Sequence, residues 1–331
     1  MKVLVVGRTI DSASKELQGS KRFQELKEAA QVEMTDVSNI ETLKERAKDA
    51  DIILSFATIG AEIINLAKRL KMIQVTSVGY ERIDAAAAAA NGVIICNVAE
   101  ANANSVSELC FGMILDLARR LSAHDRLMRA GGWGRVELEL QMEIRYKTLG
   151  IVGLGAIGSR MAQIAKHGFD MRILACDPFI TADRAEQLGA TLVDLPTLLK
   201  ESDIVTVHAP FTQETKHMIG EKELSLMKTT AIFVNAARGS IVDEKALTQA
   251  LKEKKILGAC LDVFETEPLP KESPLRQMEN VVLAPHIGST PGAMRHMRDV
   301  AVWNVLRVIR GQKPMNIQTL GTYYTSPKWA N

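Results

Sequence analysis

A chain of 331 residues with 47% hydrophobic and 24% charged side chains is long enough for two hydrophobic cores, and its formal net charge of +2 leaves no nucleic-acid footprint. Its four cysteines (Cys96, Cys110, Cys176, Cys260) lack the spacing of a zinc site and lie in apolar segments, which reads as reduced thiols of a cytoplasmic protein. No apolar run nears the ~18 residues of a membrane span, and Met1-Lys2 leads straight into a strand, with no room for a signal peptide.

In chain order, residues 3–6 predict a buried strand ending at Gly7, followed by a helical pattern around Phe23, Leu26 and Ala30. A weaker strand at 32–34, a helix over 40–49, a strand at 52–54, a helix over 61–70 and a strand at 72–75 come next. Residues 85–90 read as helix, and 93–96 as the strand that closes this half. Such alternation predicts a parallel sheet with helices on both faces. Two loops, Ser55-Phe56-Ala57-Thr58 and Ser77-Val78-Gly79-Tyr80, fall at strand carboxyl ends, where such sheets bind ligands. Asn102-Ala103-Asn104-Ser105 predicts a hinge and cap before a helix over 106–121. From Val136 to Tyr146 apolar and polar residues alternate strictly, which predicts an extended arm covering either its own domain or a second subunit.

Residues 147–177, KTLGIVGLGAIGSRMAQIAKHGFDMRILACD, carry the strongest signal. A strand at 149–152 runs into Gly153-Leu154-Gly155-Ala156-Ile157-Gly158. A helix follows, with Gly168 as its expected stop, and a second strand at 171–176 ends on Asp177. Gly153 permits the tight turn, Gly155 lets backbone approach a pyrophosphate, and Gly158 lets the helix pack closely on its strand. The helix N-terminus offers unpaired N–H groups and a positive dipole end to phosphates. Asp177 stands where an acid accepts both ribose hydroxyls and repels a 2′-phosphate. Strand, glycines, helix, strand and acid in register within about 30 residues specify an NAD site.

The alternation then resumes, with strands at 204–207, 232–234, 258–261 and 281–283 and a closing helix over 291–310; residues 313–331 are irregular and free to return to the first domain. Three successive strand ends present Arg238, then an acid (Asp262, Glu265 or Glu267), then His286. Carboxyl ends of parallel strands share one edge, so these groups are expected to converge beside the nucleotide crevice. A guanidinium holds a carboxylate bidentately. An imidazole beside a carboxylate is favoured in its charged form and can give a proton to a carbonyl oxygen as hydride reaches the carbon. His124, His167, His208, His217 and His296 lack metal-ligand spacing, so no metal is expected.

At these residues the sequence resembles the D-isomer-specific 2-hydroxyacid dehydrogenase family over essentially its whole length. The matching stretches are the glycine turn 153–158, His208-Ala209-Pro210 with Glu214-Thr215, Asn235-Ala236-Ala237-Arg238-Gly239, residues 261–268 (LDVFETEP) and Pro285-His286-Ile287-Gly288. The resemblance implies an NAD-dependent oxidoreductase acting on a small 2-oxo or 2-hydroxy acid, as a cytoplasmic homodimer. It implies an α/β fold of two doubly wound parallel sheets. A Rossmann nucleotide domain (102–289) would be inserted into a flavodoxin-like substrate domain (1–101 and 290–331). It selects Glu267 as the acid paired with His286, and Arg238 as the substrate-orienting arginine. It assigns Ala156, Ile157, Asp177, Ala209, Thr215, Ala236, Arg238, Asp262 and His286 to the cofactor, and makes Val78 and Gly79 carboxylate-binding backbone.

Substrate choice follows from departures. Phosphoglycerate-specific members often carry a basic residue in the loop corresponding to 55–58, and this loop has none. Phe56 is therefore expected at the mouth of a pocket for small or apolar 2-oxo acids. Ser77-Val78-Gly79 is similar to the loop of glyoxylate and hydroxypyruvate reductases; many of these prefer NADPH, which Asp177 opposes. Glu81-Arg82 stands where an Asp-Asn type pair is more usual, and nothing physical explains the change. Formate dehydrogenases pair the histidine with glutamine rather than with an acid such as Glu267. The alternatives are a phosphoglycerate dehydrogenase and a non-catalytic NAD-sensing protein similar to the family's corepressors. The set of Arg238, Glu267 and His286 weighs against the second.

Overall fold

Strands Lys2–Gly7 (β1), Ile52–Ser55 (β3) and Met72–Val75 (β4) are buried at every position, as parallel strands covered by helices on both faces must be. With Gln31–Asp36 (β2) and Ile94–Cys96 (β5) they form a parallel sheet in the order β5-β4-β3-β1-β2. The computed structural model describes residues 1–7, 17–136 and 141–318. The described residues divide into two units, one of Met1–Asn102 with 289–318, the other of Ala103–Gly288.

The second unit holds seven parallel strands: Thr148–Val152 (β6), Arg172–Cys176 (β7), Ala190–Leu192 (β8), Ile204–Val207 (β9), Ile232–Asn235 (β10), Gly258–Leu261 (β11) and Val281–Leu283 (β12). Their order, β12-β11-β10-β9-β6-β7-β8, reverses direction at β6, which places a topological switch point at the end of the glycine-motif strand. Alternate residues feed two cores. Val152, Val205, Val207 and Phe233 pack on one face, while Leu149, Ile151, Ile204 and Val234 pack on the other. In the first unit a last strand, Ile317–Gln318 (β13), returns antiparallel to β5, so the segment after the closing helix Pro291–Ile309 does rejoin the first sheet as far as Gln318. Residues 319–331 of that expected tail lie outside the described residues.

The expected α/β class with two parallel sheets is the one found, and most elements fall within one or two residues of expectation. Four local differences have physical causes. The helix expected over 106–121 is Ala103–Arg119, so Asn104 and Ser105 lie in its first turn rather than capping it; Ser107 instead returns its hydroxyl to the Ala103 carbonyl at 2.7 Å. Arg120, at φ 54°, then turns the chain into a further helix, Leu121–Arg129, that the sequence reading lacked. Gly168 does not stop the nucleotide helix; Ala156–Phe169 ends at Asp170, which takes the left-handed cap at φ 49°. Between β7 and β9 the reading passed over helix Ala182–Gln187, β8 and helix Leu195–Glu201, although Thr181 and Asp194 cap both helices through their side chains.

The arm needs a further correction. Residues 137–140 lie outside the described residues, and 141–146 form no strand. Ile144 is buried and Met142 half-buried in the core of their own unit. Tyr146 breaks the alternation: its backbone is left-handed at φ 60° and the residue is 70% exposed, with the Arg145 guanidinium 4.5 Å from the ring centre. The described part of the arm therefore covers its own unit.

Candidate functional site

The glycine turn shows three different uses of a missing side chain. Gly153 takes φ +92°, and a Cβ there would sit 2.7 Å from the Ala209 nitrogen. A Cβ on Gly158 would lie 2.1 Å from the Gly153 carbonyl oxygen, so helix and strand could not approach as they do. A Cβ on Gly155 would meet nothing within 4 Å. Gly155 is also the N-cap of Ala156–Phe169 and offers no side-chain acceptor to the first turn. An uncapped helix start facing open space is what a dinucleotide pyrophosphate requires, so the residues fit NAD. Ala156 and Ile157 form the first turn, with Ile157 half-buried against the core.

Asp177 follows β7 and is half-buried. Its Oδ2 accepts the Leu154 amide at 2.8 Å and its Oδ1 the Phe179 amide at 2.9 Å. The acid thus fixes the glycine turn as well as closing the second strand, and each oxygen retains a lone pair for a ribose hydroxyl. On the other side of the switch point, Ala209 is buried against Gly153. Thr215 is fully buried and spends its hydroxyl inside its own loop, on the Pro210 carbonyl at 2.8 Å and the Thr212 amide at 2.7 Å. A cofactor would therefore meet that loop through other atoms. His208 holds Thr206 Oγ1 at 2.9 Å through Nε2, while its Nδ1 is enclosed without a partner among the described residues. Burial pushes this imidazole down to about 3, which keeps it neutral.

The ends of β10, β11 and β12 are neighbours in register, Asn235 opposite Leu261 and Leu261 opposite Leu283. Just past them the structure gathers Arg238, Asp262, Glu267 and His286 on one edge. Ala236 and Arg238 are half-buried; the Asn235 side chain donates to the Arg238 carbonyl at 3.0 Å, and Arg238 Nη1 donates to the Ala237 carbonyl at 2.7 Å. His286 Nδ1 stands 2.7 Å from Glu267 Oε2, and Glu267 Oε1 accepts the Phe264 amide at 3.1 Å. With Nδ1 committed to Glu267, Nε2 is the nitrogen left to face a ligand. The pair is partly exposed, 52% at His286 and 37% at Glu267, so its value lies in aiming the ring rather than in stability.

Asp262 was assigned to the cofactor, yet its side chain is 1% exposed and turned inward. Its carboxylate accepts the amides of Ile287 at 2.8 Å and Gly288 at 3.0 Å, and its carbonyl accepts the His286 amide at 2.9 Å. These bonds hold His286 in a left-handed backbone, φ 55°, that a non-glycine residue adopts only when its surroundings enforce it. Burial raises the Asp262 carboxyl, while the two amides and the charge of His286 oppose that rise. In the sequence Asp262 stands only as a candidate acid at a strand end; the distances reveal its use as a support for His286. Glu265, the third candidate acid, pairs with His217 at 2.6 Å.

In the first unit, β1, β3 and β4 are adjacent and parallel, so Gly7, Phe56 and the 76–79 loop share one edge. Ser77 Oγ donates to the Gly79 carbonyl at 2.6 Å, and Asn97 Nδ2 to the Val78 carbonyl at 2.7 Å, which fixes the orientation of both peptide units. Phe56 is half-buried against the core of Val3, Val5 and Leu54, stacked over Gly7 rather than standing clear of the loop. Among the described residues no helix is long and apolar enough to cross a membrane, and no group of three or more His, Cys, Asp or Glu side chains could hold a metal ion.

Comparison with known proteins agrees with this geometry. Residues 111–288 match the family model for the D-isomer specific 2-hydroxyacid dehydrogenase, NAD binding domain. A glyoxylate reductase of Korarchaeum cryptofilum is 43% identical over 280 residues, 82% of this chain and 84% of that protein. A D-3-phosphoglycerate dehydrogenase of Methanocaldococcus jannaschii is 40% identical over 296 residues, 88% of this chain but only 56% of that relative's length. The crystal structure of D-lactate dehydrogenase from Aquifex aeolicus, complexed with NAD and lactic acid, superposes with a TM-score of 0.78 at 30% identity, covering 93% of this chain and 96% of that one. With its glycine turn, its acid at Asp177 and its three strand-end side chains so arranged, the chain belongs to the D-isomer specific 2-hydroxyacid dehydrogenases and is an NAD-dependent oxidoreductase acting on the CH–OH group of 2-hydroxy acids.

Proposed function

We propose that this enzyme reduces small, unphosphorylated 2-oxo acids of the glyoxylate and hydroxypyruvate type, with His286 as proton donor, Glu267 as its partner and Arg238 as the substrate anchor. The observation that carries the reading is the 2.7 Å contact between His286 Nδ1 and Glu267 Oε2 on the strand edge that also bears Arg238. NADH, held by the 153–158 turn and Asp177, would supply a hydride to the carbonyl carbon. Glu267 stabilises the imidazolium, and His286 delivers its Nε2 proton to the carbonyl oxygen, so that one hydride and one proton convert the 2-oxo acid to the 2-hydroxy acid. Arg238 takes the substrate carboxylate and polarises the carbonyl beside it. In oxidation the neutral imidazole removes the hydroxyl proton.

Residues 1–101 with the closing segment serve as the substrate domain in this reading, and the Val78 and Gly79 backbone receives the carboxylate. Their oriented peptide units support that role. The absence of a cation in Ser55-Phe56-Ala57-Thr58 supports an unphosphorylated substrate, because a phosphate closed into a cleft without a counter-charge is costly. Several relatives of about 40% identity are glyoxylate reductases. The phosphoglycerate dehydrogenase relatives favour the second reading, but this chain spans little more than half of them. A steady-state panel of glyoxylate, hydroxypyruvate, pyruvate and phosphohydroxypyruvate decides between the two. Higher kcat/KM for phosphohydroxypyruvate than for hydroxypyruvate rules out the first.

The working form is a homodimer. Helix Leu121–Arg129 buries none of its residues, and Leu121, Met128 and Trp133 are 55%, 51% and 89% exposed, an apolar display that a second copy would cover. A monomer in sedimentation at micromolar concentration contradicts this. The compartment is the cytoplasm: all four cysteines are free and buried, and burial pushes Cys96, Cys110 and Cys176 up to about 12, which suits inert thiols of a reducing environment.

A further inference from the structure

A second histidine–carboxylate pair involves the Glu267 loop. His217 Nε2 stands 2.6 Å from Glu265 Oε1. Glu265 and Glu244 exchange backbone contacts: the Glu265 amide donates to Glu244 Oε2 at 3.1 Å, and the Glu244 amide donates to Glu265 Oε1 at 3.4 Å. These residues come from three separate segments. His217 belongs to the loop after β9, Glu244 opens the helix Glu244–Lys252 that follows the Arg238 loop, and Glu265 sits two residues before Glu267. The first two segments are also stitched together through backbone, His217 to the Ser240 carbonyl at 3.0 Å and Asp243 to the Ile219 carbonyl at 3.0 Å.

The spacing where these loops meet is unusually tight. A Cβ on Gly239, next to Arg238, would fall 1.9 Å from the Phe264 carbonyl carbon and 2.4 Å from the Glu265 nitrogen. The peptide after Arg238 therefore rests directly on the peptide before Glu265. His217 itself carries a left-handed backbone, φ 51°, as His286 does at φ 55°. Burial, and the charge of Glu265 beside it, push the Glu244 carboxyl up from its ordinary value even though the Glu265 amide opposes the rise. One imidazole paired with Glu265, itself bonded to Glu244, is a poor stability device, since an ion pair with side chains 43% and 33% exposed adds little to folding.

We propose that His217, Glu265 and Glu244 are positioning residues: they clamp the Glu267 loop to the Arg238 loop and thereby fix the placement of the substrate-anchoring guanidinium relative to the His286–Glu267 pair. The proposal rests on the catalytic reading of Arg238, Glu267 and His286. None of the three clamp residues touches His286. Their effect is transmitted through two short covalent paths, Glu265 to Glu267 and Glu244 back to Arg238. Small misplacements of reacting groups are amplified in rate, with an error of about 1 Å costing up to roughly 100-fold.

The test uses the full chain with His217→Leu, His217→Gln, Glu265→Gln and a His286→Ala control, each assayed for glyoxylate reduction and for NADH binding by fluorescence. Leu cannot donate to Glu265, whereas the Gln amide can reach the position of Nε2. The clamp predicts that His217→Leu lowers kcat by about 5- to 50-fold and raises the KM for glyoxylate while leaving the Kd for NADH within about twofold. His217→Gln is expected to return kcat to within about threefold of the parent. If His217→Leu does not fold, Glu265→Gln, which is isosteric and keeps its acceptor but loses its charge, is expected to lower kcat by about 3- to 10-fold with the Kd for NADH unchanged. The clamp is overturned if the folded variants keep the parent kcat, or if the Leu and Gln substitutions at His217 behave alike. His286→Ala separates the two levels: if it keeps full activity the catalytic reading has failed, and if it is inactive while His217→Leu is normal, only the clamp has failed.

Discussion

Asp262 holds His286 in place: its carbonyl accepts the His286 amide at 2.9 Å, and its carboxylate accepts the next two amides, at 2.8 and 3.0 Å. His286, the proposed proton donor, is thus aimed by a buried acid that does not itself touch the imidazole. Asp262→Asn keeps one acceptor oxygen and loses the other together with the charge. It should lower kcat by about 10- to 100-fold with the Kd for NADH within about threefold, measured by stopped-flow and fluorescence titration. Asp262→Ala leaves two amides unpaired, at about 1–3 kcal/mol each, and should lower Tm clearly as well.

Two glycines of one turn should fail in different ways. Gly155→Ala meets open space, so its Tm should stay near the parent value while the added methyl blocks the pyrophosphate and weakens NADH binding by about tenfold or more. Gly158→Ala places a methyl 2.1 Å from the Gly153 oxygen and should lower Tm by several degrees before any cofactor is added. Thermal unfolding with and without NADH checks both.

Asp177 should make NADH the preferred reductant, because its carboxylate opposes a 2′-phosphate. Asp177→Ser should raise the ratio of kcat/KM for NADPH over NADH by about tenfold. Because Asp177 also anchors the Leu154 and Phe179 amides, some loss of NADH affinity should accompany the change. Equal use of both cofactors by the parent enzyme contradicts the assignment.

His208 should contribute to acid sensitivity of the fold. Its ordinary value is 6.5 and burial pushes it down to about 3. Between those values the unfolded chain takes up a proton that the folded chain refuses, so stability falls as pH falls through that window, by at most about 1.4 kcal/mol per pH unit. Above pH 6.5 the contribution is constant. His208→Gln, which can keep the Thr206 contact, should show a smaller loss of urea midpoint between pH 7.5 and about pH 5 than the parent does. An unchanged loss shows that His208 is not responsible.

The sheets were legible because their strands are continuous Val, Ile and Leu runs bounded by glycine or polar turns, and the glycine motif declared its use residue by residue. The elements missed between β7 and β9 are six- and seven-residue helices around a three-residue strand, too short for a helical or strand period to emerge from them. The arm misled for the opposite reason. Strict alternation suggested a strand, but Tyr146 turns left-handed and only Met142 and Ile144 of its described apolar positions reach the core. Of the site, Arg238 and His286 could be named from strand ends alone, while the choice of Glu267 over Asp262 and Glu265 came from the family resemblance. The inward turn of Asp262 and Thr215, and the pairing of Glu265 with His217, could not, because sequence spacing does not say which way a loop carboxylate or hydroxyl points.

The most direct test of the central claim is a single-turnover measurement of NADH oxidation by glyoxylate in His286→Ala, with the Kd for NADH determined on the same sample. The account predicts a rate lower by about 10²- to 10⁴-fold, the usual range for a lost general acid, and a nearly unchanged Kd, because the 153–158 turn and Asp177 hold the dinucleotide. A rate within a few-fold of the parent enzyme would contradict it.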